Sequence, residues 1–288
     1  MDNTTACILN GATSAFYRAC ADSFSQTRQA PWAGWVRAFD GPAGAVMADR
    51  REASTLDVAC GNLRFARYVQ ERYPACDLRV YAVDNCAPLV GGTAPVGGEP
   101  LGGEQPGAAR AAGVVLPGNA AWAGENARVT FQELDIMDAL LAGALDDAIA
   151  APACDLVACF GFLHHVPGHE NRVRLLRTLA TKVAAGGCMI VSFWQFLNSP
   201  ALAEKAHASH ERGLQALAAN GLDPAQLEPG DYLLGWQDRQ DVFRYCRSFT
   251  AEEVAALVHE SGLVGRVVDR FEADGRTGNL NAYLVISG

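Results

Sequence analysis

The sequence predicts an α/β protein with a mostly parallel sheet, and three observations carry that expectation. Ser54 to Val69 (STLDVACGNLRFARYV) joins an apolar run to a tight turn, Ala59-Cys60-Gly61-Asn62, and then to a helical stretch. Phe65 and Val69 fall on one face of that helix. A second apolar run, Leu78 to Asp84 (LRVYAVD), ends in an acid about twenty residues beyond the turn. Further apolar runs at 128–135, 154–162 and 188–193 alternate with helical patterns, as strands of a parallel sheet do.

The first strand, turn and helix set up a definite chemistry. A strand followed by a glycine turn opens a pocket at a helix N-terminus, where free backbone N–H groups favour an anionic or accepting group. Asp57 would sit at its rim. Asp84, at the end of the second strand, can accept both hydroxyls of a ribose. The turn reads A-C-G-N-L-R, without the third glycine of G-x-G-x-x-G that serves a pyrophosphate. A nucleoside without phosphates is the expected ligand.

Ahead of this core, residues 1–50 contain a helix over Ala15 to Thr27 with Phe16, Ala19, Cys20 and Phe24 on one face. Pro31 argues against helix beyond it. This segment either caps the pocket or is a packing arm. Behind the core, residues 91–126 shift to Gly, Ala and Pro and read as a long loop. The third strand, 128–135, leads to a helix bearing Leu140, Leu141, Leu145 and Ile149. Strand 154–162 should lie beside the first strand, where sheet order reverses and ligands bind. A helix from Gly168 to Ala185 is then expected to stop at Gly186-Gly187 before strand 188–193. Residues 196–249 interrupt the pattern with a helix, 201–219, and a Pro/Gly-punctuated loop. Thr250-Ala251-Glu252-Glu253 is a capping box for the last helix. Strands 265–271 and 281–287 close the sheet.

Composition narrows the function classes. The 288 residues are 50% hydrophobic and 19% charged, as in a globular chain. With no 18-residue apolar run and no basic-then-apolar start, neither a membrane span nor a signal peptide is expected. Nine cysteines without a C-x-x-C pair read as reduced thiols of a cytoplasmic protein, with no metal site expected. A net charge of −9 argues against DNA and other polyanions as general partners, although a local basic patch is compatible with it.

Five segments in order, LDVACGNLRFARYV, AVD, Leu134-Asp135-Ile136, DLVACFGFLHHV and VAAGGCMIVSFW, resemble the class I S-adenosylmethionine-dependent methyltransferases. The resemblance covers residues 54–195 and 250–288. It implies a Rossmann-like, seven-stranded, mostly parallel sheet with helices on both faces and an N-terminal helical cap, with S-adenosylmethionine as methyl donor. That family's first motif is usually D-x-G-x-G, so Ala59 departs from it, which is tolerable where the backbone keeps φ negative.

Carried over residue by residue, the resemblance places Asp57, Ala59, Gly61, Asn62, Asp84, Asn85, Asp135 and Ile136 on the cofactor, with Phe160 and Gly161 beside the transferred methyl. Asp135 would accept from the adenine amino group, or serve as N-cap of the following helix. His164-His165 offers a base or a structural hydrogen-bonder. Neighbours on a helix point about 100° apart, so joint metal ligation is not expected.

The stretch Arg244-Tyr245-Cys246-Arg247-Ser248-Phe249 is similar to one in the branch containing the tRNA wobble-uridine carboxymethyl methyltransferases. It implies an acceptor side of Arg28, Trp236, Arg244 and Tyr245, or else a surface lid; Tyr17 and Arg28 are cofactor candidates. Phe160, His164, Arg244 and Tyr245 are thus the catalytic candidates. The acceptor is a tRNA uridine carboxylate or a small acidic metabolite. Between Glu228 and Thr250 three arginines face four acids, so tRNA would call for a partner subunit to supply basic charge. The non-enzyme alternative is a cofactor-binding regulatory subunit.

Overall fold

In the computed structural model, which describes residues 1–27, 30–90, 113–115, 126–237 and 239–288, the apolar runs pair into one sheet. The chain enters through α1 (Asn3–Gln26), α2 (Ala33–Phe39) and α3 (Pro42–Met47). The first half of the sheet follows as β1 (Glu52–Val58), α4 (Arg64–Arg72), β2 (Asp77–Asp84), β3 (Gly113–Val115) and β4 (Ala127–Glu133). Next come α5 (Ile136–Leu141), α6 (Leu145–Ala148), β5 (Cys154–Cys159), α7 (His169–Thr181) and β6 (Val183–Trp194). The chain then runs through α8 (Pro200–Ala218), β7 (Asp231–Trp236), β8 (Arg239–Arg247), α9 (Ala251–Glu260), β9 (Val267–Ala273) and β10 (Asn281–Ser287).

Seven strands form the central sheet in the order β4-β2-β1-β5-β6-β10-β9, and β3 adds to its edge antiparallel to β4. Pairs among β4, β2, β1, β5 and β6 are parallel, and β10 runs antiparallel to both its neighbours. Alternate residues of each strand feed opposite faces, as the pleat requires. Leu56, Val58, Val157, Cys159, Met189 and Val191 pack with α5, α7 and α9 on one face. Leu78, Val80, Ala82, Leu156, Ala158 and Ile190 pack with α2, α3 and α4 on the other. Order reverses at β1, between β2 and β5, and the C-terminal strand ends gather Asp57, Asp84 and Phe160 at that point.

Several expected elements are corrected. The N-terminal helix is longer than Ala15 to Thr27, and helix resumes past Pro31. Pro42 itself starts α3, where its missing N–H costs nothing. Helix α7 ends at Thr181 rather than Ala185, because β6 begins at Val183, which pairs with Cys154; Gly186 (φ 74) lies in the stretch where β5 and β6 shift register. Of the expected loop 91–126, residues 113–115 form a strand; 91–112 and 116–125 lie outside the described residues. The Pro/Gly-punctuated stretch before residue 250 folds as the hairpin β7–β8. Thr250 caps α9 as expected, its hydroxyl accepting from the Glu253 amide at 3.2 Å.

The hairpin, α8 and α1 make a lid with a small core of its own. Leu9 of α1, Leu217 of α8, and Leu233, Phe243 and Tyr245 of the hairpin are buried together. Gly213 permits this, since a Cβ there would lie 2.4 Å from the Leu233 Cβ. A buried ionic network ties the lid to the core. Arg172 of α7, fully buried, donates to the Val166 carbonyl (3.0 Å), the Tyr245 hydroxyl (3.2 Å) and Glu228 (3.0 Å). Arg247 pairs with Asp231 and Glu253, each at 3.0 Å.

Candidate functional site

Under the lid, at the C-terminal strand ends, lies a cavity of about 830 Å³. Its floor begins with the turn after β1, where φ is positive at Ala59 (57°), Gly61 (53°) and Leu63 (58°). The condition under which alanine is easily tolerated here, a negative φ, is therefore not met. The turn has to drop sharply so that the Cys60 amide can donate to the Val83 carbonyl (3.1 Å), and Ala59 carries the strain of a left-handed backbone. The Gly61 amide donates to Asp84 at 2.9 Å, and the other Asp84 oxygen accepts from the Cys86 amide at 2.8 Å. Asp84 thus fixes the turn while facing the cavity. Burial raises its pKa against the pull of those amides.

Asp57 is 3% exposed, and its Oδ2 has no hydrogen-bond partner among the described residues. Burial first, and the Asp84 carboxylate second, push its pKa up to about 8, with Arg64 pulling the other way. A buried, unsatisfied carboxyl beside a second acid is a seat for a cation. The methionine ammonium of S-adenosylmethionine is such a group. At Gly61 an added Cβ would meet nothing within 4 Å, so the turn is open to a ligand. Both observations fit that methyl donor.

Asp135 is more fully engaged than expected. It caps α5 by accepting from the Asp138 amide (3.0 Å), and also accepts from Asn10 (3.1 Å), Ser14 (3.4 Å) and Asn85 (2.8 Å). Asn10, Ser14 and Tyr17 stand one turn apart on α1, a polar stripe that could have been read from their spacing. Ile136, Leu134 and Leu89 give the same end of the cavity an apolar wall, suited to an adenine ring.

The other end is aromatic. Gly161 (φ 66) lies between Trp32 and His164, 3.4 and 4.0 Å from where its Cβ would be. Trp32 stacks on Trp35, and Arg64 lies over both rings while donating to the Ala30 carbonyl at 3.0 Å. Phe160, Phe162, Trp194, Trp236 and Arg244 complete the wall. The Arg244 guanidinium sits 4.5 Å from the Phe16 ring centre and 5.7 Å from that of Trp236. Trp32, Trp194, Arg64, Asp274 and Asn281 line the site without having been expected: Trp32, Asp274 and Asn281 lie outside the five matching segments, Trp194 ends the fifth, and Arg64 stands inside the first without being singled out by its motif.

Tyr245 does not line the cavity, and its place among the catalytic candidates is withdrawn. Neighbours on a strand point to opposite sides. With Arg244 facing the cavity, Tyr245 faces the ionic network, where its hydroxyl donates to Asp231 at 2.6 Å. Arg28 lies outside the described residues. The remaining candidates, Tyr17, Asp57, Ala59, Gly61, Asn62, Asp84, Asn85, Asp135, Ile136, Phe160, Gly161 and His164, all line the cavity.

The two histidines are also closer than helical spacing suggested. They sit in a tight 3-10 turn with ring centres 4.1 Å apart, and with Cys246 they offer ligand atoms within 4.8 Å of one another. His165 is already committed to hydrogen bonds. Its Nδ1 lies 2.6 Å from the Tyr245 carbonyl, which can only accept, so Nδ1 carries the hydrogen. In the neutral ring Nε2 then accepts from the Tyr17 hydroxyl at 2.8 Å.

The family model described as a methyltransferase domain matches residues 28–266. The solved structure described as a DhpI-SAM-HEP complex has a similar fold, with TM-score 0.53 and 18% identity over 97% of this chain and 98% of that one. TnmH gives TM-score 0.51 and 18% identity over 96% of this chain and 59% of its own. A SAM-dependent methyltransferase from Methanosarcina mazei gives 0.49 and 14% over 82% and 92%. No curated protein matches the sequence. A family match across most of the chain, on a seven-stranded sheet with this cavity at its switch point, leads to one conclusion: the chain belongs to the class I S-adenosylmethionine-dependent methyltransferases.

Proposed function

We propose that this methyltransferase acts on a small acceptor carrying an anionic group, and that Arg244 holds that group. The observation that carries the reading is a guanidinium 5% exposed in the cavity wall, set among the rings of Phe16 and Trp236. A guanidinium held by ring faces pairs well with a carboxylate or phosphate. The lid and a net charge of −9 suit a small molecule better than a tRNA. In this reading Asp84 takes the ribose hydroxyls, Asp57 the methionine ammonium, and Ile136 with Leu134 the adenine. The methyl donor supplies a sulfonium carbon for in-line displacement. The chain's residues supply alignment, which is most of the catalysis.

The test offers methyl-labelled S-adenosylmethionine to a panel of small carboxylic acids and, separately, to bulk tRNA. Label in an acid, with Arg244→Met raising the acceptor KM about tenfold or more at unchanged S-adenosylhomocysteine affinity, is the expected result. Label confined to tRNA overturns the small-acceptor reading in favour of the wobble-uridine branch. Loss of S-adenosylhomocysteine affinity in Arg244→Met moves the arginine to the methionine carboxylate and overturns its assignment.

A further inference from the structure

We propose that Tyr17 and His165 together take a proton from the acceptor, so that the reacting group is a hydroxyl and the acceptor's anionic group is a handle. This rests on the small anionic acceptor proposed above and adds the identity of its reacting atom.

The pair is built by three separate elements. Tyr17 comes from α1, His165 from the turn after β5, and the carbonyl that orients the imidazole belongs to Tyr245 of β8. That carbonyl is itself pinned. The Tyr245 amide donates to the Thr13 hydroxyl at 3.1 Å, and the Tyr245 side chain is locked between Asp231 and Arg172. Thr13 and Tyr17 are one turn apart on α1, so a single helix anchors both ends of the chain of hydrogen bonds. On its other side, the His165 amide donates to the Phe162 carbonyl at 2.7 Å, which hangs the ring directly behind Phe160-Gly161-Phe162. In its neutral form the imidazole holds its hydrogen on Nδ1 and aims its lone pair at a hydroxyl that lines the cavity.

Such an arrangement suits proton removal. As the acceptor oxygen bonds to the methyl carbon, its proton passes to the Tyr17 oxygen and the Tyr17 proton passes to His165 Nε2. The carbon–sulfur bond pair leaves with sulfur, and the positive charge lost by the sulfonium ends on the imidazolium. A carboxylate nucleophile arrives without a proton and has no use for this pair.

Charges around the pair agree with an anionic acceptor. His165 is faced by His164 in its own turn, by Tyr17 of α1, and by Cys246, whose Sγ lies 3.8 Å from Nδ1 on β8. The Arg244 guanidinium lies 6.0 Å from the Tyr17 ring centre, so an acceptor anion paired with it lies beside the same hydroxyl. Tyr17 is the catalytic residue; His165 acts through it.

The experiment compares benzoate with the hydroxy acids 4-hydroxybenzoate, salicylate and caffeate, and with catechol, as acceptors of labelled methyl, and measures S-adenosylhomocysteine affinity by calorimetry. The expected result is label on a hydroxyl oxygen of at least one hydroxy acid and none on benzoate. Tyr17→Phe and His165→Gln should each lower kcat about a hundredfold or more, with acceptor KM and S-adenosylhomocysteine affinity within twofold of the parent. Methyl esters formed from benzoate and the hydroxy acids alike, with kcat insensitive to Tyr17→Phe, overturn the proton transfer but leave the anionic acceptor standing. Methylation of catechol but of none of the acids overturns the anionic acceptor. Tenfold or greater loss of S-adenosylhomocysteine affinity in Tyr17→Phe places that hydroxyl on the methionine and overturns the proposal without any acceptor being present. No label in any of these compounds overturns both readings.

Discussion

Tyr245→Phe separates a structural tyrosine from a catalytic one. The hydroxyl is fully buried, donates to Asp231 at 2.6 Å and accepts from Arg172 at 3.2 Å. A hydrogen bond to a charged group contributes about 1.5–3 kcal/mol. Deleting the hydroxyl leaves each partner with others: Asp231 keeps Arg247 (3.0 Å) and the Glu228 amide (2.9 Å), and Arg172 keeps the Val166 carbonyl (3.0 Å) and Glu228 (3.0 Å). Neither charge is stranded, so the loss should fall in the lower half of that range, about 2 kcal/mol. In a chain of 288 residues that lowers the melting temperature by roughly 3 °C. Calorimetric melting gives the stability, and titration with S-adenosylhomocysteine at 25 °C gives the site. The affinity should stay within twofold, because the ring still fills the lid core and the backbone still holds His165. An unchanged melting temperature accompanied by a tenfold weaker site would refute the reasoning and return Tyr245 to the functional residues.

Three further outcomes follow from the floor of the cavity. Asp84→Asn should weaken S-adenosylhomocysteine binding about tenfold or more, from the loss of a charge-assisted bond worth about 1.5–3 kcal/mol; unchanged affinity by calorimetry would remove Asp84 from the ribose. Asp57, with its carboxyl pushed up to about 8, holds a proton in the ligand-free fold that the unfolded chain releases near 4. Its contribution to stability is full below pH 4 and is lost as pH rises through 8, so denaturant midpoints of Asp57→Asn should fall less steeply across that window than those of the parent. Equal slopes would show that Asp57 is ionised throughout. Ala59→Gly removes a methyl from a left-handed position at about 1 kcal/mol of strain, offset in part by the freer unfolded chain. Its melting temperature should hold or rise slightly, and a clear fall would show the methyl to be a packing contact that outweighs the strain.

Legibility followed the range of the forces involved. The strands at 54–58, 78–84 and 154–159 were readable because burial on both faces demands unbroken apolar runs, and that demand is local. The turn at Gly61 and the acid at Asp84 were readable for a similar reason: their spacing along the chain maps onto adjacent strand ends in any parallel pair. Asp135 was half legible. Its capping of α5 is a local bond, whereas its bonds to Asn10 and Ser14 reach across 125 and 121 residues.

The lid was not legible. The Pro and Gly residues near 224–235 look like loop punctuation, yet the strands there are stabilised by α1 and α8, distant in sequence. Arg244 and Tyr245 look equivalent as a motif, and only the pairing of β8 decides which one faces the cavity. His164 and His165 show the same limit: sequence marks both, but the Tyr17 hydroxyl and the Tyr245 carbonyl select His165 as the oriented ring. The sequence by itself therefore determined the core strands of the sheet, the turn and acids at the floor of the cavity, and the family, all of which rest on local pattern and its order. The aromatic wall of the cavity was decided only by tertiary structure, because its residues come from α1, the turns after β5 and β6, and β8, and acquire their directions when those elements pack.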